Sequence, residues 1–450
     1  MGGEGPAGVA GTPGIRAHGL LLYEEVTLRR VASALVAIAL CWGLGAAEEG
    51  SAEPAGGSGA RAAIQALLDR RARAFVERDE AAFMATVGRA DPGFYRRQKR
   101  MFRWAAAVPF GSYRLVARWD RHGDLARVSD VGRYSGADAV SIPLTEERYR
   151  IAGFDRHAAV GDAFFTFARH DGAWRIVDDS GLEHVGLPSA RHLWDFGPVT
   201  IARSPHFLLL RHRCDSRIDC PPSTGDILAL AEQALGRVES LWDVPWRKSV
   251  VVVAPTTTAE LARMLQTTFD LDNFVAFAAS SVDVERGFSY GGHRVLFNPE
   301  SITNRSSTDV LQILTHELVH VATRPASGPF VPVYIDEGVA EQVAHESSPD
   351  ALEFLGTVVS RGEFDRRLPT DVEFLTGSAD DIYTSYQEAQ SAVRFFVDRW
   401  GFDRLEDFYV RLGRPAVAAG TAGYHVDRAL RATVGVSAAE FERAWARSLE

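Results

Sequence analysis

The chain has 450 residues, of which 46% are hydrophobic, 24% charged and 10% aromatic. That ordinary globular composition excludes a long disordered protein, a collagen-like repeat and a multi-span membrane protein, and the length predicts two or three domains with cores of their own. The formal net charge is −10 and the basic residues are scattered, so no nucleic-acid partner is indicated.

Residues 1–47 read as a signal peptide. Arg29-Arg30 precedes an apolar run from Val31 to Leu44, broken only by Ser33 and Gly43. A run of about 14 residues suits a signal core and is short for a membrane span. Gly45-Ala46-Ala47 offers small residues for cleavage before Glu48. Residues 1–25 carry no periodicity and are expected to be an over-extended start, with Val26 as the initiator, or a tail. The mature chain is expected to be secreted or extracytoplasmic, without stable membrane insertion once the signal is cleaved; retention by an uncleaved signal is the alternative. Such a compartment permits disulfides, and Cys214 and Cys220, the two cysteines left, are expected to pair across a short loop.

Residues 48–60 are rich in Gly, Ala, Ser and Glu and read as a linker. Ile64, Leu67, Leu68, Ala72, Phe75 and Val76 then recur at helical spacing, with a second short helix expected over 80–87. Strands are expected over 114–119, 147–151, 163–168 and 174–177, the last two joined by a turn at Asp171-Gly172. Helices followed by a curved antiparallel sheet predict an α+β domain over residues 61–185. No acid–base pair stands out in it, and Asp178 and Asp179 read as solvated strand ends. The opening Ala74-Phe75-Val76-Glu77-Arg78-Asp79 and the closing Asp171-Gly172-Ala173-Trp174-Arg175-Ile176-Val177-Asp178-Asp179 resemble the nuclear-transport-factor-2-like (SnoaL-like) family. That resemblance implies a cone-shaped, pocketed α+β domain, expected here to be accessory.

Pro188 and Pro198 mark a connection. Beyond it, strands are expected over 200–203 and 206–212, a helix over 226–241, a buried strand over 248–253 and a helix over 258–267. Further strands are expected over 273–284 and 293–298, on either side of a Gly-containing loop.

The chemistry is concentrated in His316-Glu317-Leu318-Val319-His320. Ser306 and Asp309 form a capping pair ahead of it and Pro325 closes the helix. Two His four residues apart share one helical face and can converge on one Zn²⁺. Glu317 is placed to take a proton from a metal-activated water. The flanking residues, among them Val310, Leu311, Ile313, Leu314, Leu318, Val319 and Val321, are apolar, so the helix is expected to be buried. Buried His and Glu need partners, and a metal supplies them.

A short helix is expected to start near Asp336, in Asp336-Glu337-Gly338-Val339-Ala340-Glu341. Glu337 as third ligand completes a His₂Glu set with a fourth position left for water. Glu341, on the same face, is expected to accept from the far nitrogen of a ligand His. Asp336 or Glu341 as the ligand remains an alternative, with His345 a weaker one. A metzincin arrangement fails, because its third His would fall on Ala326 and no Met follows Met264.

The His316-Glu317-x-x-His320 motif and the Asp336–Glu341 run are joined by a later helix, Tyr383-Thr384-Ser385-Tyr386-Gln387-Glu388-Ala389-Gln390, and by Trp400-Gly401. Together these resemble the gluzincin zinc peptidases, more narrowly the bacterial peptidase MA-like proteins, over residues 195–447. The resemblance implies one zinc held by His316, His320 and Glu337, with Glu317 as general base. It also implies an edge strand within 273–284 that pairs with substrate backbone. An oxyanion donor from a following helix is implied as well, Tyr386 or Tyr383. The aminopeptidase Gly-x-Met-x-Asn strand is absent before the zinc helix, which leans toward an endopeptidase. The reading is thus an α+β protein, a secreted zinc peptidase acting on a peptide or protein substrate. Its competitors are a non-catalytic binding or scaffold protein with a structural or vestigial zinc, and a zinc hydrolase of a non-peptide bond.

Overall fold

The computed structural model describes residues 57–449 apart from 127–132, 135, 214–223, 269–270, 273, 284–288, 347, 349–350 and 415–419. The signal-peptide reading, most of the 48–60 linker and the Cys214–Cys220 pairing lie outside the described residues.

The first helix, α1 (Ser58–Glu77), begins inside the stretch expected as linker. Ala60, Ala62 and Ala63 are strong helix formers and carry it back toward Gly57. Ile64, Leu67, Leu68 and Phe75 line its buried face. Arg78 ends it in the left-handed region, and Asp79 caps α2 (Glu80–Met84) through the Ala82 N–H at 2.9 Å. After α3 (Pro92–Trp104) come six strands: β1 (Phe110–Ala117), β2 (Ala139–Ser141), β3 (Thr145–Ile151), β4 (Ala159–Ala163), β5 (Thr166–His170) and β6 (Ala173–Asp178). They form two antiparallel three-stranded sheets, ordered β1-β3-β4 and β2-β5-β6. The expected single strand over 163–168 is therefore two. Phe164 and Phe165 carry the chain from one sheet to the other, so β4 pairs with β3 while β5 pairs with β6. Asp171 and Gly172 both take positive φ at the β5–β6 turn, as a two-residue hairpin requires.

The second half holds a five-stranded sheet ordered β10-β11-β9-β8-β7: β7 (Val199–Arg203), β8 (Phe207–His212), β9 (Val250–Ala254), β10 (Ala276–Asp283) and β11 (Ser289–Phe297). β8, β9 and β11 run parallel, and β7 and β10 are antiparallel edges. The parallel strands read as unbroken apolar runs, Phe207-Leu208-Leu209-Leu210 and Val250-Val251-Val252-Val253, because both faces are covered and every one of these side chains is buried. Each contributes about 1.5–3 kcal/mol on burial. Helices α4 (Thr224–Leu241) and α5 (Thr258–Leu265) come from this region. The rest is helical: α6 (Ser307–Thr323), α7 (Val333–Ala344), α8 (Glu353–Ser360), α9 (Ala379–Trp400), α10 (Phe402–Gly413), α11 (Ala422–Val434) and α12 (Ala438–Ser448). The whole is an α+β fold.

The N-terminal sheets dock on the β10–β11 hairpin. Arg294 of β11 donates through both terminal nitrogens to Asp155 at 2.7 Å, and the Val160 N–H of β4 donates to Ser281 Oγ at 2.8 Å. Gly292 lies so close to Ala159 that a Cβ would stand 2.3 Å from the alanine methyl, and its φ of +62° also favours glycine. One apolar core runs from α1 through the five-stranded sheet to α12. The N-terminal unit is thereby held against the end of the hairpin that borders α6.

Candidate metal centre

The capping pair at the start of α6 forms in both directions: Ser306 Oγ accepts from the Asp309 N–H, and Asp309 Oδ2 accepts from the Ser306 N–H, both at 3.2 Å. From Val310 to Thr323 all residues but Gln312 are buried. The helix therefore carries His316, Glu317 and His320 into the interior, at 4%, 1% and 2% exposure.

α7 begins at Val333 rather than near Asp336. Pro332 presets the entering backbone. The Val333 N–H, which no local side chain caps, is taken by Asp371 Oδ1 at 2.9 Å. That distant cap starts the helix a turn early and sets Glu337 opposite the two histidines. Gly338 allows α7 to approach α9 closely, since a Cβ there would meet the Ala389 carbonyl oxygen at 2.5 Å.

His316, His320 and Glu337 offer three donor atoms that all lie within 4.8 Å of one another. The two Nε2 atoms are 3.2 Å apart, and Glu337 Oε2 is 3.3 Å from His316 Nε2 and 3.6 Å from His320 Nε2. Donors about 2.0–2.1 Å from a tetrahedral ion stand about 3.3–3.4 Å apart, so these separations fit one cation at their centre. Unmet bonding capacity agrees with that. Both carboxylate oxygens of Glu337 and Oε2 of Glu317 are buried without a hydrogen-bond partner. Buried orphans of this kind are costly unless something binds them.

The charges of the cluster show the same tension. Burial opposes a charged His316, yet Glu337 and Glu341 outweigh it and push the imidazole up to about 10. Burial likewise opposes a charged Glu337, but His320 and His316 hold its carboxyl below the usual range. Glu317 moves the other way: burial and then the negative Glu337 push it up to about 8, against the pull of His316 and of the Ala278 backbone N–H. A cation among the three donors would favour the neutral imidazoles and the ionised carboxylate.

Glu341 Oε1 lies 2.9 Å from His316 Nδ1, and its Oε2 lies 3.3 Å from His345 Nε2. Glu341 is thus the charged neighbour behind His316, and His345 meets Glu341 rather than the donor trio. Asp336 is turned away. Tyr409 Oη bonds its Oδ1, and Arg324 stands 4.0 Å from its Oδ2. The Asp336 alternative is therefore corrected: α7 presents Glu337, and not its neighbour, to the histidines. The ring of Tyr386 in α9 lies 6.5 Å from that of His316 and meets Phe374 edge-on at 5.0 Å. Tyr383 is held elsewhere, accepting from Gln387 Nε2 at 3.2 Å and packing on Phe354; burial and the charge of Glu341 push its phenol up to about 12. β10 is the edge strand bordering α6, and its Ala278 N–H reaches Glu317.

Sequence reasoning missed several groups around this centre. Arg324, one turn beyond His320 on the same helix, was visible as an i, i+4 position. The Tyr409–Asp336 and Asp371–Val333 contacts span 73 and 38 residues and left no local signal. In the N-terminal unit, Asp179 is buried rather than solvated, accepting from Gln98 at 2.8 Å and pairing with Arg191 at 3.1 Å. A carboxylate–imidazole pair is also present there, Glu147 with His192 at 2.7 Å.

No family model matches the chain, and no curated protein matches it. Among solved structures, a point mutant of an M1 zinc metallopeptidase from Deinococcus radiodurans is similar at a TM-score of 0.31 and 13% identity. The match covers 55% of this chain and 51%, about half, of that one. Likeness at that level says nothing about chemistry, so the functional reading stands on the donor geometry.

Proposed function

We propose that the chain is a zinc-dependent peptidase, and that the observation carrying this is Glu317 beside the His316–His320–Glu337 trio. The donor set is two imidazoles and one carboxylate, which suits zinc and leaves a fourth position open. Bound zinc would supply Lewis acidity, polarising a carbonyl and acidifying water. Everything else is work for the chain. Glu341 on Nδ1 of His316 keeps the Nε2 lone pair turned to the centre. Glu317, which the charge of a bound cation would keep ionised against its burial, accepts the proton of the attacking water on its unpartnered Oε2 and returns it to the leaving amine. The edge of β10 aligns an extended peptide over Glu317 through backbone hydrogen bonds. Tyr386, beside His316, is the favoured donor to the developing oxyanion. Cleavage within a chain and an extracytoplasmic location, with a Cys214–Cys220 disulfide, complete the reading; they rest on the missing Gly-x-Met-x-Asn strand and on the apolar run of residues 31–44.

One observation favours a structural metal instead: no donor of the trio is more than 4% exposed. A structural site has no use for a further carboxyl beside the trio, and Glu317 is one, its Oε2 buried without a hydrogen-bond partner. The test is Glu317→Gln. It should bind zinc like the wild type and lose about 10²–10⁴-fold in turnover of a broad peptide library. Equal cleavage by the variant would remove Glu317 from the chemistry. An intact library with metal present would turn the reading toward a structural site or a non-peptide bond.

A further inference from the structure

A cavity of about 850 Å³ lies past His320, where the end of α6 meets the start of β11, the 154–157 loop of the N-terminal unit and the 245–249 and 325–329 loops. That volume suits a bound ligand. Four guanidinium groups line it, Arg156, Arg247, Arg324 and Arg414, together with His157 and His293. Among the described residues one carboxylate lines it, Asp155, and both of its oxygens are taken by Arg294 at 2.7 Å. On a chain of net charge −10, a cavity walled by four arginines is a local reversal of sign.

Three of those arginines keep capacity for a ligand, while Arg324 faces Asp336 Oδ2 and the Tyr290 ring. Arg156 has no hydrogen-bond or ion-pair partner among the described residues. Arg247 gives one N–H to the Gly153 carbonyl at 2.6 Å, and Arg414 gives one to the Pro325 carbonyl. Each guanidinium has five donors, so most remain. His293 registers the positive field. Burial first, and then the charges of Arg324 and Arg294, push its imidazole down to about 4, so it stays neutral and bonds Ser280 Oγ at 2.8 Å.

The cavity is also connected to the chemistry. Arg324 follows His320 by one helical turn, about 6 Å along the axis, and its charge acts on Glu317. Along β10, Ala278 meets Glu317, and Ser280, two residues on, meets His293 at the cavity wall. An extended peptide on that edge advances about 7 Å over two residues, which brings its next side chains to the arginines.

We propose that this cavity is a subsite for a carboxylate of the substrate, so that the site selects acidic peptides whose anionic group lies two or three residues from the bond cut. This rests on the metallopeptidase reading above. An aspartate or glutamate side chain and a free C-terminus present the same chemistry to arginine, bidentate and charge-assisted.

The test uses the full zinc-loaded chain carrying Glu317→Gln, so that binding is read without cleavage. The probes are fluorescein-labelled decamers with a run of glutamates on one side or the other of a central Phe-Leu, and their glutamine counterparts, each with a free or an amidated C-terminus. Fluorescence anisotropy should give about tenfold tighter binding for glutamate over glutamine, or for free over amidated ends. The first result assigns the carboxylate to a side chain, the second to the terminus. The preference should weaken with salt and vanish when Arg156→Glu or Arg247→Gln is added, with the glutamine peptides unaffected. Equal binding of all the decamers, or a preference that survives both arginine variants, overturns the subsite. If the preference holds but the wild type cuts none of the decamers, the subsite stands and the peptidase reading fails. If the wild type cuts them without regard to charge, the peptidase reading stands and the subsite fails.

Discussion

Two clusters of buried polar groups sit in the two halves of the chain and are completed in different ways. In the N-terminal unit, Glu147 accepts from Tyr113 Oη on one oxygen and pairs with His192 Nε2 on the other at 2.7 Å. Nearby, Arg71 donates to Thr86 at 3.2 Å and to Gln98, Gln98 donates to Asp179, and Asp179 pairs with Arg191. Both carboxylates there have protein partners. In the second half, Glu337 has buried oxygens that no hydrogen bond meets, and the donors facing it are two imidazoles 3.2 Å apart. Both clusters contain histidine, glutamate and tyrosine, and both are deeply buried. A cluster whose carboxylates are saturated by the protein acts as a clamp. An unsaturated one is built around something that binds.

The contrast can be broken by separating zinc from stability. With free zinc at a thousandfold its Kd, the wild type should gain about 4 kcal/mol of unfolding free energy. Glu337→Ala should lose nearly all of that increment, since a donor is gone. Glu147→Ala should keep the increment whole while costing about 3 kcal/mol with and without zinc, because it strands His192 and Tyr113 in the interior. Denaturant melts of the three proteins at two zinc levels check both statements. A zinc increment lost in Glu147→Ala would mean that the clusters are not independent, and one that survived in Glu337→Ala would remove Glu337 as a ligand.

A second substitution sharpens the point without touching a polar atom. Gly338 neighbours Glu337 and faces the Ala389 carbonyl and Val393 of α9, with a Cβ fitting at only 2.5–2.6 Å. Gly338→Ala should cost about 1–3 kcal/mol through overpacking. It should also weaken zinc binding, because α7 must shift away from α9 and takes its carboxylate along. A variant that was destabilised but bound zinc normally would show that the centre tolerates movement of α7.

How far each cluster could be read from the sequence follows from the separation of its parts. The donor helix was legible because its capping pair, its apolar flanks and its i, i+4 histidines are all local, and Glu337 lies only 17 residues beyond His320. The start of α7 was missed because its cap comes from Asp371. The Glu147–His192 pair joins residues 45 apart on elements whose packing no periodicity reveals. The arginine cavity draws its four guanidinium groups from four separate segments, each contributing one unremarked arginine. The break at Phe164 and Phe165 was hidden for a related reason: an apolar run reads as one strand whether or not it changes sheets.

The smallest expected effect is a pH slope that belongs to the saturated cluster alone. Burial disfavours the His192 cation, but the charge and hydrogen bond of Glu147 outweigh it and raise its pKa. Burial similarly opposes the Glu147 anion, but His192 wins and lowers its pKa. A raised histidine contributes its full stability below its unfolded value of about 6.5, and that contribution fades as pH climbs through the folded value. The lowered carboxylate behaves in the opposite sense, at full strength above about 4.3 and lost as pH falls through its folded value. The wild type, measured against Glu147→Gln at saturating zinc, should therefore show an advantage that is greatest near pH 5–6 and declines toward alkaline pH. The slope should not exceed about 1.4 kcal/mol per pH unit, the limit for one proton. Because zinc occupies the other cluster in both proteins, its protons drop out of the difference. A flat difference between pH 5 and 9 would mean that His192 is neutral in the fold, and the clamp would then be a neutral hydrogen bond rather than an ion pair.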